Sequence, residues 1–437
     1  MHSFAKKMMQ LPLTVSLYGM KHLADLVVHP STSQASPDLI RRFESQFVTF
    51  MRDALIAGDR LAEEKLDPLL HAFTPNGLGS GHLYKTGIDA VRVIAEGLSA
   101  RVQGSGRELV WQELGNKLQS FGTFRYVESV LDISRHSDMA LSTLVQKTNA
   151  CDSYNKVWAT EGLGHFYTEW VWQDGQVPEH LLTDETLTGL PVSCMVALHA
   201  GMGLSLAKHC LEDVTKKSER KEIEKVVVRF IELCTDNARP GFVGISFEAL
   251  GLIVQTLYPT LRLLFDQVLH KHAPNLLGLY WHGIGRGSYF MPRSSLTWDK
   301  TDWASLRAPH ELGQMNLYAG LAWPVTLVNI RHPEVMAHFI ARNGEFFEAN
   351  DAFASGIAAA LVVWRHSTGG DEYLDRFCSF QPHTNNQMLR RRWADWIQLP
   401  SQIALPQVFN LVQEHQCFDV LFYYQSQRDL LKTLETA

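Results

Sequence analysis

Several things are scarce in this sequence, and each scarcity closes off a class of protein. Six cysteines (Cys151, Cys194, Cys210, Cys234, Cys378, Cys417) lie far apart with no C-x-x-C pair. That argues against a disulfide framework and a structural zinc site, and it reads as free thiols in a reducing compartment. The longest uncharged apolar run, Ala352 to Trp364, falls short of the roughly 20 residues that span a bilayer. Basic residues are not in surplus: 40 Lys and Arg against 46 Asp and Glu give a net charge of −6. A nucleic-acid partner, which calls for a basic face, gains no support. Alternating strand patterns are rare, and there is no G-x-S-x-G elbow, P-loop, H-E-x-x-H or zinc-finger spacing. At the N-terminus, Pro12 and Lys21 break the stretch that follows Lys6 and Lys7, and no A-x-A-like cleavage site is clear. The expectation is a cytoplasmic chain.

What is present is helical periodicity and two glycine-rich stretches. A hydrophobic content of 46% over 437 residues suffices for a large core. Ser36-Pro37-Asp38 reads as a helix start, followed by Ile40, Phe43, Phe47, Phe50 and Met51 at helical spacing. Residues 74–81 read as a loop and 87–102 as a helix. The stretches Glu161-Gly162-Leu163-Gly164-His165-Phe166-Tyr167 and His282-Gly283-Ile284-Gly285-Arg286-Gly287-Ser288-Tyr289-Phe290 look like two copies of one element. Glu128 precedes the first by 33 residues and Glu248 the second by 34; a small-residue cluster follows each, at His199–Gly203 and at Tyr318–Ala322. The offset between copies stays at 119–121 residues. The fold class expected is therefore all-α, an internally duplicated helical repeat. Its parts are an N-terminal segment 1–106, repeats 107–225 and 226–345, and a C-terminal region 346–437 holding a partial third repeat. Residues 212–225, rich in Lys and Glu, form the solvated start of a helix that becomes buried at Val226.

The chemistry that the stretches could carry is open to several readings. Glycines in a helix interior cost about 1 kcal/mol each, so they call for close backbone packing or a ligand at the main chain. A dinucleotide fingerprint needs a strand before it and a helix opening after it, and Pro292 leaves no room for that helix. Glu161 and His165 stand i, i+4 on one helix face, with Glu169 a turn further. Glu128, Glu248 and His282 join them if the copies pack together. Carboxylate plus imidazole suits iron, manganese or zinc, but the spacing E-x-x-x-H differs from the helical di-iron E-x-x-H, so no metal is assigned and no cofactor named. Without a metal, Glu161, His165, His282 and Arg286 are candidate catalytic residues. Glu128, Glu248, Tyr167, Trp172, Tyr289 and Phe290 would line an aromatic pocket for an apolar substrate. Set against this, the same residues make an interior ion-pair network with core aromatics.

Phe247-Glu248, Gly283-Ile284-Gly285-Arg286 with Tyr289-Phe290, and Phe353-Ala354 through Ala360 resemble motifs of a bacterial family of uncharacterised function found in enediyne and other polyketide gene clusters. His165 departs from the pattern, standing where an arginine would fall. The resemblance implies secondary metabolism. The reading that follows is a tailoring or cyclisation enzyme for a long unsaturated polyketide-like or isoprenoid-like intermediate. The alternative is a non-catalytic helical scaffold for a biosynthetic partner protein.

Overall fold

A computed structural model of the chain describes residues 107–133, 140–173, 177–183, 188–290, 295–298 and 300–436. The expected helices at 40–55 and 87–102 and the loop at 74–81 lie outside the described residues. The chain divides into two units, Met1–Gln119 with Met291–Trp298, and Ser120–Phe290 with Asp299–Ala437. In the first, buried Glu113 accepts hydrogen bonds from the backbone N–H of Ser295 at 3.2 Å and from its hydroxyl, with Lys117 Nζ at 3.5 Å.

The second unit is all-α across its described residues, with a single isolated bridge pairing Leu182 and Ala238. Helix α1 (Arg107–Arg125) ends in it, and the four-residue α2 (Val127–Val130) follows. Then come α3 (Ser153–Gln173), α4 (Met195–Cys210), α5 (Arg220–Asn237), α6 (Val243–Leu257), α7 (Arg262–His272) and α8 (Leu277–Tyr289). Next are α9 (Glu311–Val328), α10 (Pro333–Asn343) and α11 (Ala352–Thr368). Two kinds of helix alternate. Along α4, α6 and α8 almost every residue is buried, as expected of helices that are apolar all round. Between them, α5 buries one stripe, Ile223, Val227, Phe230 and Cys234, and turns its charges to water. The expected solvated start is there: Glu219 and Glu222 form a capping box at the head of α5. The boundary placed between 225 and 226 thus falls inside one helix.

The central helices pack in chain order, α3 on α4, α4 on α6, α6 on α8, α8 on α9 and α9 on α11. Helix α11 also meets α3, with the Trp364 and Tyr154 rings 6.3 Å apart, so the row curls back on itself. The paired glycines make this row possible. Residues i and i+2 on a helix point about 200° apart, to opposite flanks. Gly162 faces the Phe124 carbonyl of α1 while Gly164 faces Leu198 of α4; Gly283 faces Glu248 of α6 while Gly285 faces Leu317 of α9. Gly201 and Gly203 on α4 divide in the same way between α3 and α6. A Cβ built at any of these six would sit 1.8–2.3 Å from a neighbouring carbonyl oxygen, inside the 3.0 Å that real Cβ atoms keep. Neighbouring backbones are thus in direct contact, an arrangement only hydrogen at Cα allows.

The expected internal duplication is not confirmed. Gly162-x-Gly164 and Gly283-x-Gly285 play like parts, but Glu128 sits on the four-residue α2 whereas Glu248 lies in the middle of the 15-residue α6.

Two substitutions separate contact from helix propensity. Gly122, in the last turn of α1, has nothing within 4 Å of its built Cβ. Gly122→Ala is expected to raise unfolding free energy by up to about 1 kcal/mol. Gly283→Ala must push α6 and α8 apart and is expected to cost about 2–3 kcal/mol. Urea unfolding of both variants checks this; equal effects would refute the contact account.

Candidate functional site

The site starts from Glu248, a fully buried carboxylate on an otherwise uncharged helix. Such a group demands partners. His282 and Arg286 supply them from α8, where their i, i+4 spacing puts both on the flank facing α6. His282 Nδ1 lies 2.9 Å from Glu248 Oε1, and Arg286 Nη1 donates to Glu248 Oε2 at 2.9 Å. The second arm of the guanidinium, Nη2, donates to Glu161 Oε1 of α3, also at 2.9 Å. One arginine thus ties α8 to α6 and α3, the forked geometry that lysine cannot reproduce. Its Cζ stands 5.9 Å from the centroid of the Trp323 ring. His282 meets Trp323 edge-on at 5.7 Å and Phe422 at 6.0 Å. Its Nε2 is buried with no partner among the described residues.

The charges in this cluster do not balance. It holds two carboxylates and one guanidinium, and burial pushes the His282 imidazole down, towards its neutral form, against the pull of Glu248. Burial also pushes Glu161 up, and the Arg286 charge only partly offsets this. Glu248 is likewise opposed by burial, but Arg286 and His282 together outweigh it and hold its carboxyl below the usual range. Glu161 is therefore the carboxyl of the pair that binds a proton more readily than usual, and Glu248 the one that binds it less readily.

Glu161 and Arg286 border a cavity of about 30 Å³, room for roughly one water. Its walls include the rings of Trp158, Phe290, Trp323 and Phe422 and the side chains of Val196 and Leu327.

Other expected site residues go elsewhere. The face shared by Glu161, His165 and Glu169 is divided: His165 Nε2 is 3.8 Å from Glu169 Oε1, and its ring packs on Phe124. Glu169 also accepts from Ser205 Oγ at 2.7 Å and Lys208 Nζ at 2.9 Å, with His209 Nε2 at 3.2 Å. Burial pushes Glu169 up, but these partners outweigh it and hold the carboxyl well below the carboxylate range. His165 is therefore part of an ion-pair group between α3 and α4, not of the polar centre. Trp172 stacks on His209 with centroids 4.1 Å apart, and Tyr167 lies half-buried beside Trp170. Tyr289 is core, its hydroxyl accepting from Asn329 Nδ2 at 2.8 Å. Glu128 makes no bond to the cluster, because α2 is a separate short turn. Glu161, Glu248, His282, Arg286 and Phe290 are brought together; Trp158, Trp323 and Phe422 were not anticipated. Trp323 carried a faint signal, one turn beyond Gly320, whereas Phe422 belongs to a short 3₁₀ turn, Phe418–Phe422, with none.

Among the described residues no group of three or more His, Cys, Asp or Glu is placed to hold a metal ion. His199 is satisfied locally: its Nδ1 is 2.7 Å from the Met195 carbonyl and its Nε2 accepts from the Arg239 N–H at 3.1 Å. Burial accordingly pushes its pKa down to about 4. The six cysteines are all free, and no described helix is long and apolar enough to cross a membrane.

Fold and site define an all-helical protein with a buried four-residue polar centre. Comparison with protein-family models, with curated proteins and with solved structures finds no match for the chain.

The proton assignment predicts opposite pH responses. Glu161, with its pKa raised in the fold, favours folding below the ordinary value of 4.5 and turns into a cost as pH rises through its folded value. Glu248, lowered, stabilises above 4.5 and loses that contribution as pH falls through its folded value. Glu161→Gln, which mimics the protonated acid, is expected to lose little at pH 7 and to gain on the wild type as pH rises. Glu248→Gln is expected to cost about 3 kcal/mol or more at pH 7. Denaturant titrations between pH 4 and pH 8 test both signs; equal losses would place the proton elsewhere.

Proposed function

We propose that the chain is an acid–base enzyme of secondary metabolism, a cyclase or isomerase acting on an apolar unsaturated intermediate of polyketide or isoprenoid type. The observation that carries the reading is a buried carboxyl, Glu161, whose pKa burial raises and which borders a cavity walled by Trp158, Phe290, Trp323 and Phe422. A neutral acid in an apolar site can protonate a double bond, and aromatic faces stabilise the cation that results. Glu161 gives the proton; Arg286 fixes its orientation and holds the carboxylate that remains, which takes back a proton from a carbon next to the cation, so that a new double bond forms and the acid is restored. Glu248 keeps Arg286 in place, and His282 keeps Glu248. The cavity of about 30 Å³ admits one small group, so a longer substrate reaches Glu161 only when the aromatic wall moves. A cytoplasmic location fits this reading, as does a partner protein that delivers the substrate. No cofactor is assigned.

The second reading, a non-catalytic scaffold, draws support from that same small volume and from the saturated fork of Arg286. Deuterium uptake distinguishes the two. The full chain is incubated in heavy water with linear isoprenoid alcohols and polyketide polyenes, and products are read by mass spectrometry. The enzyme reading expects an isomer in which one deuterium replaces one hydrogen with the wild type, and a loss of about 100-fold or more with Glu161→Gln. Label at wild-type levels in the variant, or none with any substrate, favours the scaffold.

A further inference from the structure

A second cavity, of about 270 Å³, lies on the other flank of α11, against the C-terminal segment. The two cavities share a wall: Val362 and Leu421 line this one, while their neighbours Val363 and Phe422 line the cavity at Glu161. The floor is Ala354 and Ala358, four residues apart on one face of α11. Opposite runs a helical segment that contains Pro400 and Pro406. Widened π turns at Ala394–Gln398 and Ala404–Val408 flank the short helix Leu399–Ile403. Proline has no N–H to give and crowds the carbonyl four residues earlier, and a widened turn accommodates both. The short side chains of the floor and the widened wall leave space between them. Leu399 and Ile403 stand at the opening, 54% and 37% exposed.

We propose that this cavity binds the tail of a linear aliphatic molecule whose head is cationic or a hydrogen-bond donor, an alkylamine or alkanol rather than a fatty acid or phosphate ester. The volume falls just under the usual small-ligand range, which suits an unbranched chain better than fused rings. The side chains that face the tail, from Ala354 and Ala358 to Leu421 and Leu430, are apolar. The head is selected by what the lining offers. Among the described residues, Asp351 and Asp395 are its charged groups, both exposed, and no Lys, Arg or His lines it. The neutral donors there are mostly committed: Ser355 Oγ donates to the Gln425 carbonyl at 2.7 Å, and Gln427 Nε2 gives one of its two N–H groups to the Pro400 carbonyl at 2.9 Å. An anionic head would meet two like charges and, from these side chains, one remaining N–H, on Gln427. Asp351 accepts from the Tyr424 hydroxyl, and Asp395 lies 3.4 Å from Arg391 Nε, but a carboxylate has about four acceptor sites and each keeps some for a ligand. Nothing here depends on Glu161 being an acid catalyst.

The test uses the full chain at neutral pH and the uncharged fluorophore N-phenyl-1-naphthylamine, displaced by decylamine, decanol or decanoate below their micelle concentrations. Decylamine and decanol are expected to displace it, with decanoate weaker than decylamine by about tenfold or more. Ala359→Phe, which projects a ring from the half-exposed edge of the cavity, is expected to weaken decanol by about tenfold. The paired change Asp351→Asn and Asp395→Asn fills no space; it should abolish the preference for amine over carboxylate and leave decanol within about twofold. Circular dichroism confirms that each variant folds, and if Ala359→Phe does not, the rim pair decides. Absence of displacement, equal affinity for decanoate and decylamine, or a preference unchanged by the rim pair overturns the proposal.

Discussion

Backbone contact between the central helices is the constraint from which the other features follow. Glycine at positions such as 201, 283 and 285 lets one helix rest on the carbonyls of the next. Helices that close leave little volume between them, and side chains entering the interior must fit what remains. A long, planar, always-charged arginine fits by lying between two carboxylates on different helices. The narrow cavity at Glu161 and the saturated fork of Arg286 are thus two consequences of one packing rule.

The packing also fixes the electrostatics. Glu248 faces α8 because Gly283, the residue its carbonyl touches, is next to His282. Its ionised form is held by two partners, whereas Glu161 has one arm of the guanidinium. Dehydration opposes the charge on both carboxylates, and Glu248, with more partners, is the one whose pKa falls while that of Glu161 rises. The group with fewer partners is the one beside the aromatic cavity.

Much of this was legible before any coordinates. Helical periods gave the fold class, and a glutamate amid Phe247, Ala249 and Leu250 announced a buried charge that required partners. The i, i+4 spacing of His282 and Arg286 put both on one face, and the missing strand and Pro292 turned G-x-G from a phosphate cradle into a packing device. Two things were not legible. Constant offsets suggested that Glu128 and Glu248 are equivalent, but an offset records spacing and not burial, and α2 is too short to bury a charge as α6 does. Spacing also put His165 beside Glu161, while the side chains on α4, Ser205, Lys208 and His209, drew it and Glu169 away. Phe422 comes from the far end of the chain, and no local pattern links it to Trp323, whose ring lies 4.4 Å away.

The central claim is that the polar centre carries one carboxylate more than its cation neutralises, and that Glu161 is the one whose affinity for a proton is raised. Infrared spectroscopy of the protonated carboxyl stretch in heavy water reads this directly. A carboxylic-acid band that titrates with a midpoint above 4.5, is absent from Glu161→Gln and persists in an Asp395→Asn control is the result expected. A Glu161-dependent band that titrates at or below 4.5 would contradict it.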